Sequence, residues 1–313
     1  MCKKTAIVVN SVETGLTVSK GLTKTQPMKR DMPQGNSATA MKLMGIGRRS
    51  VSVWVAVIGL CVAAGAGEAN AYQDTLPDGQ INTGSASIFS VLTSSSGWLG
   101  GGSVVQGDIG IDQGKFTLSG RSDVFGDLVH HTGVMIRNRG GSVHGTIYSD
   151  DPLDDGALMD AQMLSDAAFA EPVTPQYGSL TSVNLNHNSM TITGGANEKI
   201  VLRLTDFVLT NNSIFTLSGT ATTSFIIDVT GTFSLRSNSH ISLVNVLASN
   251  VLFNILGDGS TVWLRGGSTM FGTLLALNST VELRGGSQVV GRVIAEHVKI
   301  KKHSSVLTPT RNQ

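Results

Sequence analysis

The nine residues Ser260-Thr261-Val262-Trp263-Leu264-Arg265-Gly266-Gly267-Ser268 return as Ser279-Thr280-Val281-Glu282-Leu283-Arg284-Gly285-Gly286-Ser287, with one substitution at the fourth position. From the start of one copy to the start of the other, the numbering advances by 279 − 260 = 19. The same step separates Gly107, Gly126 and Gly145, each of which opens a short apolar segment. A fixed period of about this length is typical of stacked coils in a solenoid. The repeat therefore predicts the architecture of most of the chain.

Each coil contains three short apolar segments, which predicts three strands per coil. In the first set, which we name face B, two apolar residues flank one outward residue, and period-2 alternation places the apolar pair in the core. The members of face B are residues 116–118, 134–136, 215–217, 233–235, 262–264, 281–283 and 298–300. The second set, face A, comprises residues 107–111, 126–129, 145–148, 225–229, 251–255, 272–276 and 291–295. The third and shorter set, face C, is marked by Val105, Val124, Val143, Ile241, Val289 and Val306. Together they predict an all-β, three-sided parallel β-helix with about 19 residues per coil.

One segment, at about residues 155–170, has helical rather than strand periodicity. Ala157, Ala161, Leu164 and Ala168 recur on one helical face, and acidic residues precede them, where a helix N-terminus favours negative charge. Capping explains these acids better than a metal site does, because calcium-loop spacing is absent. The outward residues of face A form an apolar row, Val129, Ile226, Leu252, Leu275 and Ile294. Water would otherwise contact this row, so we predict that the helix packs lengthwise on face A.

The N-terminal part of the chain, as far as Ala71, does not share the repeat. Residues 41–71 combine basic residues, an apolar run and the small residues Ala69-Asn70-Ala71, which predicts a secretory signal peptide cleaved after Ala71. Residues 1–40 are polar and without pattern. They are either a non-structural extension or the product of a start codon placed too early, with Met41 the true start. Residues 72–313 are predicted to form a single domain.

Composition narrows the function classes. The chain has 313 residues and a formal net charge of +1, so no excess of positive charge indicates a nucleic-acid partner. Its 37 glycines and 5% aromatic residues suit many short strands joined by tight corners. Both cysteines, Cys2 and Cys61, precede the predicted cleavage site, so we expect no disulfide, metal or other cofactor in the mature chain. No later segment is long and apolar enough to predict a membrane span.

Six segments form an ordered series, namely residues 89–92, 105–110, 225–229, 250–255, 272–276 and 291–295. Together they resemble the ice-binding-like β-solenoid family and the related choice-of-anchor A surface proteins of bacteria. The resemblance covers roughly residues 84–307 and implies a right-handed, discontinuous β-helix with a long helix beside it. It implies ice binding through a flat face in one branch. The other branch usually carries a C-terminal sorting segment, which residues 307–313 do not resemble. Similarity of fold does not assign the ligand.

One outward column of face B is the candidate ligand-binding site. It contains Arg236, Arg265, Arg284 and Lys301, with Trp263 beside it. An aromatic ring next to cations suits an acidic polysaccharide or the carboxylates of a partner protein. A solvated edge is the simpler explanation of the column, because exposed charges on β-faces commonly serve solubility and cations about 4.8 Å apart repel by only about 1 kcal/mol in water.

Two other function classes have weaker support from the residues. Ice binding needs a flat, regular surface of hydroxyl and methyl groups, and no clean Thr-x-Thr ladder is present. On face C the candidates are Ser268, Thr269, Gln288, Ser304 and Ser305.

Catalysis on polysaccharides needs clustered acids, a metal or a strong base, whereas Asp206, Asp228 and Asp258 are isolated and His130-His131 lack further ligands. We therefore predict a secreted, non-catalytic, bacterial-type β-helix that acts as an adhesin or in structural association. Its expected partner is an extracellular polysaccharide or a surface protein, and ice binding is the alternative.

Overall fold

The computed structural model describes residues 74–76, 79–149 and 153–308. The predicted extension over residues 1–40 and signal peptide over residues 41–71 lie outside them, as do the acidic side chains at 150–155. The helical elements of the described part are α1 (Leu153–Ala170) and short 3-10 helices at Gly84–Ile88, Pro175–Tyr177 and Ala248–Asn250. The strands are β1 (Phe89–Gly100), β2 (Val104–Gln106), β3 (Asp108–Ile111), β4 (Lys115–Ser119), β5 (Asp123–Phe125), β6 (Leu128–His130), β7 (Met135–Arg139), β8 (Ser142–Val143), β9 (Ile147–Ser149), β10 (Ser182–Asn186), β11 (Ser189–Thr193), β12 (Lys199–Leu204), β13 (Asp206–Thr210), β14 (Ile214–Ser218), β15 (Ser224–Val229), β16 (Phe233–Leu235), β17 (His240–Val244), β18 (Val251–Ile255), β19 (Thr261–Arg265), β20 (Thr269–Arg284), β21 (Gln288–Lys301) and β22 (Ser305–Leu307).

The strands stack in parallel into three faces, which confirms the predicted β-helix. Face B stacks β7, β4, β1, β21, β20, β19, β16, β13 and β10 in that order. Face A stacks β9, β6, β3, β1, β21, β20, β18, β15 and β12. Face C stacks β8, β5, β2, β22, β21, β20, β17, β14 and β11. The long strands β1, β20 and β21 bend around a corner and so contribute to more than one face.

The coils do not follow one another in chain order. Val91 in β1 pairs with Ile109 in β3 on one side and with Val293 in β21 on the other, so the first coil stacks on the last. From β1 the chain builds coils in one direction as far as β9. Helix α1 then leads to β10 at the opposite end of the stack, and the 18 residues of this helix rise about 27 Å. The discontinuous arrangement with a helix alongside is thus confirmed.

The Arg-Gly-Gly-Ser part of the repeat forms the corner between faces B and C. Gly266 and Gly267 have φ of 63° and 76°, a region that glycine enters without the steric cost of a Cβ. The hydroxyl of Ser268, which is fully buried, then donates to the carbonyl oxygen of Arg265 at 2.7 Å. Other coils place Asn211-Asn212 or Ser237-Asn238 at this corner, also with positive φ. The corner geometry therefore explains why these four residues recur.

The repeat length holds in the coils that revealed it, and the central coils are longer. Thr261 pairs with Thr280, an advance of 280 − 261 = 19 in the numbering, whereas Ile214 pairs with His240, an advance of 240 − 214 = 26. The extra length lies in the corners, for example in the 3-10 helix before β18. Longer coils change which face a given apolar segment occupies.

Two assignments to face B were wrong. Residues 215–217 lie on face C, because Phe215 pairs with Ile241. Residues 134–136 are displaced along face B, because Ile136 rather than Val134 pairs with Phe116. This displacement places Arg137 opposite Thr117.

Two assignments on face C also change. Ser268 and Ser304 point inward at the corner and are buried, so they are not part of the outward surface. Thr269, Gln288 and Ser305 do lie in one outward column, as predicted.

Helix α1 packs on face A, as predicted. Ala157, Ala161, Leu164 and Ala168 are fully buried in one apolar cluster with the outward residues of face A. These outward residues form two neighbouring columns rather than one row, because Leu252 pairs with Thr273 while Leu275 pairs with Ile294. A separate cluster fills the interior of the β-helix. The helix therefore covers face A.

A buried polar network fastens the C-terminal half of α1 to face A. Ser165 donates to the side-chain oxygen of Asn254 at 2.8 Å, and the Asn254 amide donates to Asp228 Oδ1 at 2.9 Å. Arg203 donates to Asp228 Oδ2 at 3.5 Å and to the carbonyl oxygen of Phe169 at 2.5 Å. Burial raises the pKa of Asp228 to about 6, although the hydrogen bond from Asn254 and the charge of Arg203 act in the opposite direction.

Candidate binding surfaces

The predicted basic column exists on face B. Arg265 pairs with Arg284, which pairs with Lys301 in the next coil, and Arg236 follows directly after Leu235, the partner of Leu264. Trp263 lies in the adjacent column, between Ser234 and Glu282. The parallel ladder thus brings all five predicted site residues together on one surface.

Most of these side chains already have partners within the protein. The Arg265 guanidinium lies 3.2 Å from the centroid of the Trp263 ring, so it occupies one face of the indole. Glu282, which is buried, forms an ion pair with Arg284 and lies 3.5 Å from the ammonium nitrogen of Lys301. Desolvation, and next the charge of Arg284, lower the pKa of Arg265. A large share of the positive charge in this column is therefore neutralised or covered.

A second tryptophan on face B was missed by the sequence analysis. Trp98 pairs with Thr117 on one side and with Lys299 on the other, in the same outward column as Trp263. Residues 97–99 do not show the apolar–outward–apolar pattern of face B, because glycine occupies the first inward position, at residue 97. A side chain there would collide with the Phe116 ring. The run Trp98-Leu99 after a glycine is the signal that could have identified it.

Face C differs from face B in its chemistry. Seven consecutive strands, β2, β22, β21, β20, β17, β14 and β11, have no Asp, Glu, Lys or Arg at their outward positions. Their outward residues are Val104, Gln106, Ser305, Leu307, Gln288, Val290, Thr269, Phe271, His240, Ser242, Val244, Ile214, Thr216, Ser218, Ser189, Thr191 and Thr193. The six steps between these strands span roughly 29 Å at about 4.8 Å each. The structure thus contains a long, uncharged sheet surface that becomes apparent only when β14 is placed on face C.

The residues considered for catalysis are separated. Asp206 accepts a hydrogen bond from the Thr232 backbone at 2.8 Å, and Asp258 accepts one from Asn278 at 3.2 Å. Asp228 lies under α1. Within residues 74–76, 79–149 and 153–308, no group of three or more His, Cys, Asp or Glu side chains is arranged to hold a metal ion. In that same part of the chain, no helix has the length and apolar character needed to cross a membrane.

These features define a class of protein, a discontinuous parallel β-helix with one face covered by a helix. The chain belongs to the family described as "Putative Ice-binding-like adhesive domain", whose model matches residues 55–306. This description is of an adhesive domain rather than an enzyme. A comparison with curated proteins gave no match.

Several solved structures with a similar fold are described as ice-binding proteins. One comes from the Antarctic ascomycete Antarctomyces psychrotrophicus, with a TM-score of 0.51 and 20% identity over 73% of this chain and 98% of that chain. Another comes from an Arctic yeast, with a TM-score of 0.53 and 17% identity over 76% and 98%. A third, from an Antarctic biological consortium, has a TM-score of 0.51 and 17% identity over 74% and 92%. At these identities the likeness concerns the fold.

Proposed function

We propose that this chain is a non-catalytic, extracellular protein that adsorbs to ice through face C. The observation that carries the proposal is the uncharged outward surface of seven stacked strands, from β2 to β11. The family assignment and the folds of the similar structures support ice as the surface.

The absence of charge matters because contact with ice requires the side chains to give up their own hydration. Removing the water shell of an ionised group costs much free energy. The cost is smaller for a hydroxyl group, and a methyl group has no such cost. Face B carries Arg265, Arg284 and Lys301 on neighbouring coils, so desolvating it would be costly. Face C carries hydroxyl, methyl and amide groups instead.

Regularity of the surface follows from the fold. Parallel pairing holds neighbouring coils about 4.8 Å apart and alternate residues of one strand about 6.6 Å apart. Thr191, Thr216 and Ser242 lie in one column, and Thr193 and Ser218 lie in the next. Because threonine is restricted at χ1, its hydroxyl and methyl groups keep defined positions. The result is a rigid array at the β11–β17 end of face C.

Thermal hysteresis of the purified full chain tests the proposal. Thr216→Tyr places a large ring in the middle of the array, and its matched control is Val208→Tyr, an outward change on face B in the preceding strand of the same coil. We expect Thr216→Tyr to lose most of the hysteresis and Val208→Tyr to keep it. No hysteresis in the wild type, or equal losses in the two variants, would exclude face C as the ice-binding surface.

The second candidate function is adhesion to extracellular material, either an acidic polysaccharide or a surface protein. It is favoured by a specific observation, the cations of face B beside two tryptophans, Trp98 and Trp263. Both candidates require export from the cell, which agrees with the predicted signal peptide at residues 41–71. Binding of the full chain to immobilised acidic polysaccharide, with a neutral polysaccharide as control, tests this candidate.

A further inference from the structure

A shallow depression of about 490 Å³ lies on face B around Trp98, away from Trp263. Its lining includes Gly97, Trp98, Lys115, Thr117, Lys299 and Lys301. Lys115 pairs with Ser96, next to the Trp98 column, and Lys299 pairs directly with Trp98. Three lysines, one from the coil on one side of Trp98 and two from the coil on the other, therefore line the same depression as the indole.

The charges of this depression are less neutralised than those near Trp263. Among the described residues, neither Lys115 nor Lys299 has an acidic side chain within ion-pair distance. Lys301 shares Glu282 with Arg284, so it is only partly compensated. An anion that reaches Lys115 and Lys299 would gain Coulombic attraction without breaking an existing pair.

The indole of Trp98 is held in a fixed orientation. Its Nε1 donates a hydrogen bond of 2.9 Å to the hydroxyl of Ser119. Ser119 lies in the neighbouring coil, in the outward column next to that of Trp98. Gly100 makes this hydrogen bond possible, because a Cβ there would lie 3.2 Å from the ring and would collide with the Ser119 hydroxyl. The ring therefore leans over Gly100, and Lys301 sits 4.5 Å from its centroid. Trp98 and Lys115 line the depression together.

We infer that this depression binds one anionic sugar unit of an acidic polysaccharide. The apolar face of the sugar ring lies against the indole, and its carboxylate or sulfate group contacts Lys115 and Lys299. This inference rests on the second candidate function and assigns its ligand class and its centre. Trp263 is a poorer centre because Arg265 lies 3.2 Å from its ring centroid, closer than the 4.5 Å between Lys301 and the Trp98 ring.

The test measures binding of the full chain to three immobilised probes, polygalacturonate, dextran sulfate and neutral dextran, at about 0.15 M salt. The variant Lys115→Gln with Lys299→Gln removes the two uncompensated charges. The matched control, Arg121→Gln with Lys302→Gln, removes two exposed charges that lie outside both the depression and the basic column. Trp98→Phe removes the bond to Ser119 but keeps a ring, and Trp98→Ala removes both.

We expect the double lysine variant and Trp98→Ala to weaken binding to an acidic probe at least tenfold, Trp98→Phe to weaken it less, and the control to stay within about twofold. Preference for one acidic probe identifies the carboxylate or the sulfate. If the wild type binds neither acidic probe, the adhesion function itself fails. If the wild type binds but the two double variants weaken binding equally, adhesion stands and the depression is not its centre. Equal binding of neutral dextran, or of polyglutamate in a parallel assay, would overturn the assigned ligand class.

Discussion

Replacing Asp228 by Asn should remove a pH-dependent part of the free energy of unfolding. Asp228 is fully buried beneath α1, and burial raises its pKa from 3.8 to about 6. The folded chain therefore binds this proton more tightly than the unfolded chain does. A group of this kind stabilises the fold below pH 3.8, and its contribution is lost as the pH rises through about 6.

The magnitude follows from the two pKa values. Their difference, 6 − 3.8, corresponds to about 3 kcal/mol at about 1.36 kcal/mol per pKa unit. About 1.4 kcal/mol of this remains at pH ~5 and almost none at pH ~7.5. The wild type should therefore lose about 1.4 kcal/mol more than Asp228→Asn between these two pH values.

Urea denaturation of both proteins at both pH values measures this difference. The readout is the change in the free energy of unfolding with pH and not its value at one pH, because the substitution also alters the contact with Arg203. Asp206→Asn, on face B and away from α1, is the control and should follow the wild type. Equal pH dependence in the wild type and Asp228→Asn would refute the reasoning. A wild type that instead gains stability relative to Asp228→Asn as the pH rises would show that pairing with Arg203 outweighs burial.

Three further predictions concern the fold. Leu264 is fully buried between Leu235 and Leu283, so Leu264→Ala should lower the free energy of unfolding by about 2–5 kcal/mol. A decrease of less than about 1 kcal/mol in chemical denaturation would contradict its place in the core. Leu275→Asp puts a charge under α1, so hydrogen exchange of residues 157–168 should rise sharply while the coils stay protected; unchanged exchange would place the helix elsewhere. Gly267→Val forces a β-branched residue to adopt a φ of 76° and to collide with the Asn238 side chain, so the Tm should fall by several degrees. The control Gln288→Val, on the outward side of face C, should leave the Tm nearly unchanged.

The repeat and the helix were predictable because local chemistry determines them. The Arg-Gly-Gly-Ser corner needs two residues with positive φ followed by a buried serine, so its sequence marks the corners at residues 265–268 and 284–287. The apolar positions of α1 are spaced for one helical face, and face A offered an apolar surface for them. Each of these signals reports directly on a contact that the structure contains.

Assignment of strands to faces was less predictable, because alternation identifies an inward residue without saying which face it belongs to. Phe215-Thr216-Leu217 has the same pattern as Phe233-Ser234-Leu235, yet longer central coils place the two on different faces. Within the described part of the chain, β7 of the terminal coil pairs only with β4, so Asn138 can occupy the position opposite Leu118. Because Asn138 is polar, nothing in the sequence indicated that it pairs with Leu118, so the register between β4 and β7 was not recognised.

The candidate surfaces were predictable to different degrees. Trp263 and the four cations of the column were grouped from the strand alternation of face B, and all five do meet there. Their partners were not visible in the sequence, because the stacking of Arg265 on Trp263 and the burial of Glu282 depend on side-chain conformation. The uncharged extent of face C depends on pairings across longer coils, which periodicity does not reveal.

Partition of the full chain into slowly growing ice tests the proposed role of face C most directly. A non-binding protein of similar mass, added to the same solution, reports passive trapping. The wild type should be enriched in the ice relative to this reference, and Thr216→Tyr should be excluded with it. A wild type that stays in the liquid with the reference, or a Thr216→Tyr variant that enters the ice as strongly as the wild type, would contradict adsorption through face C.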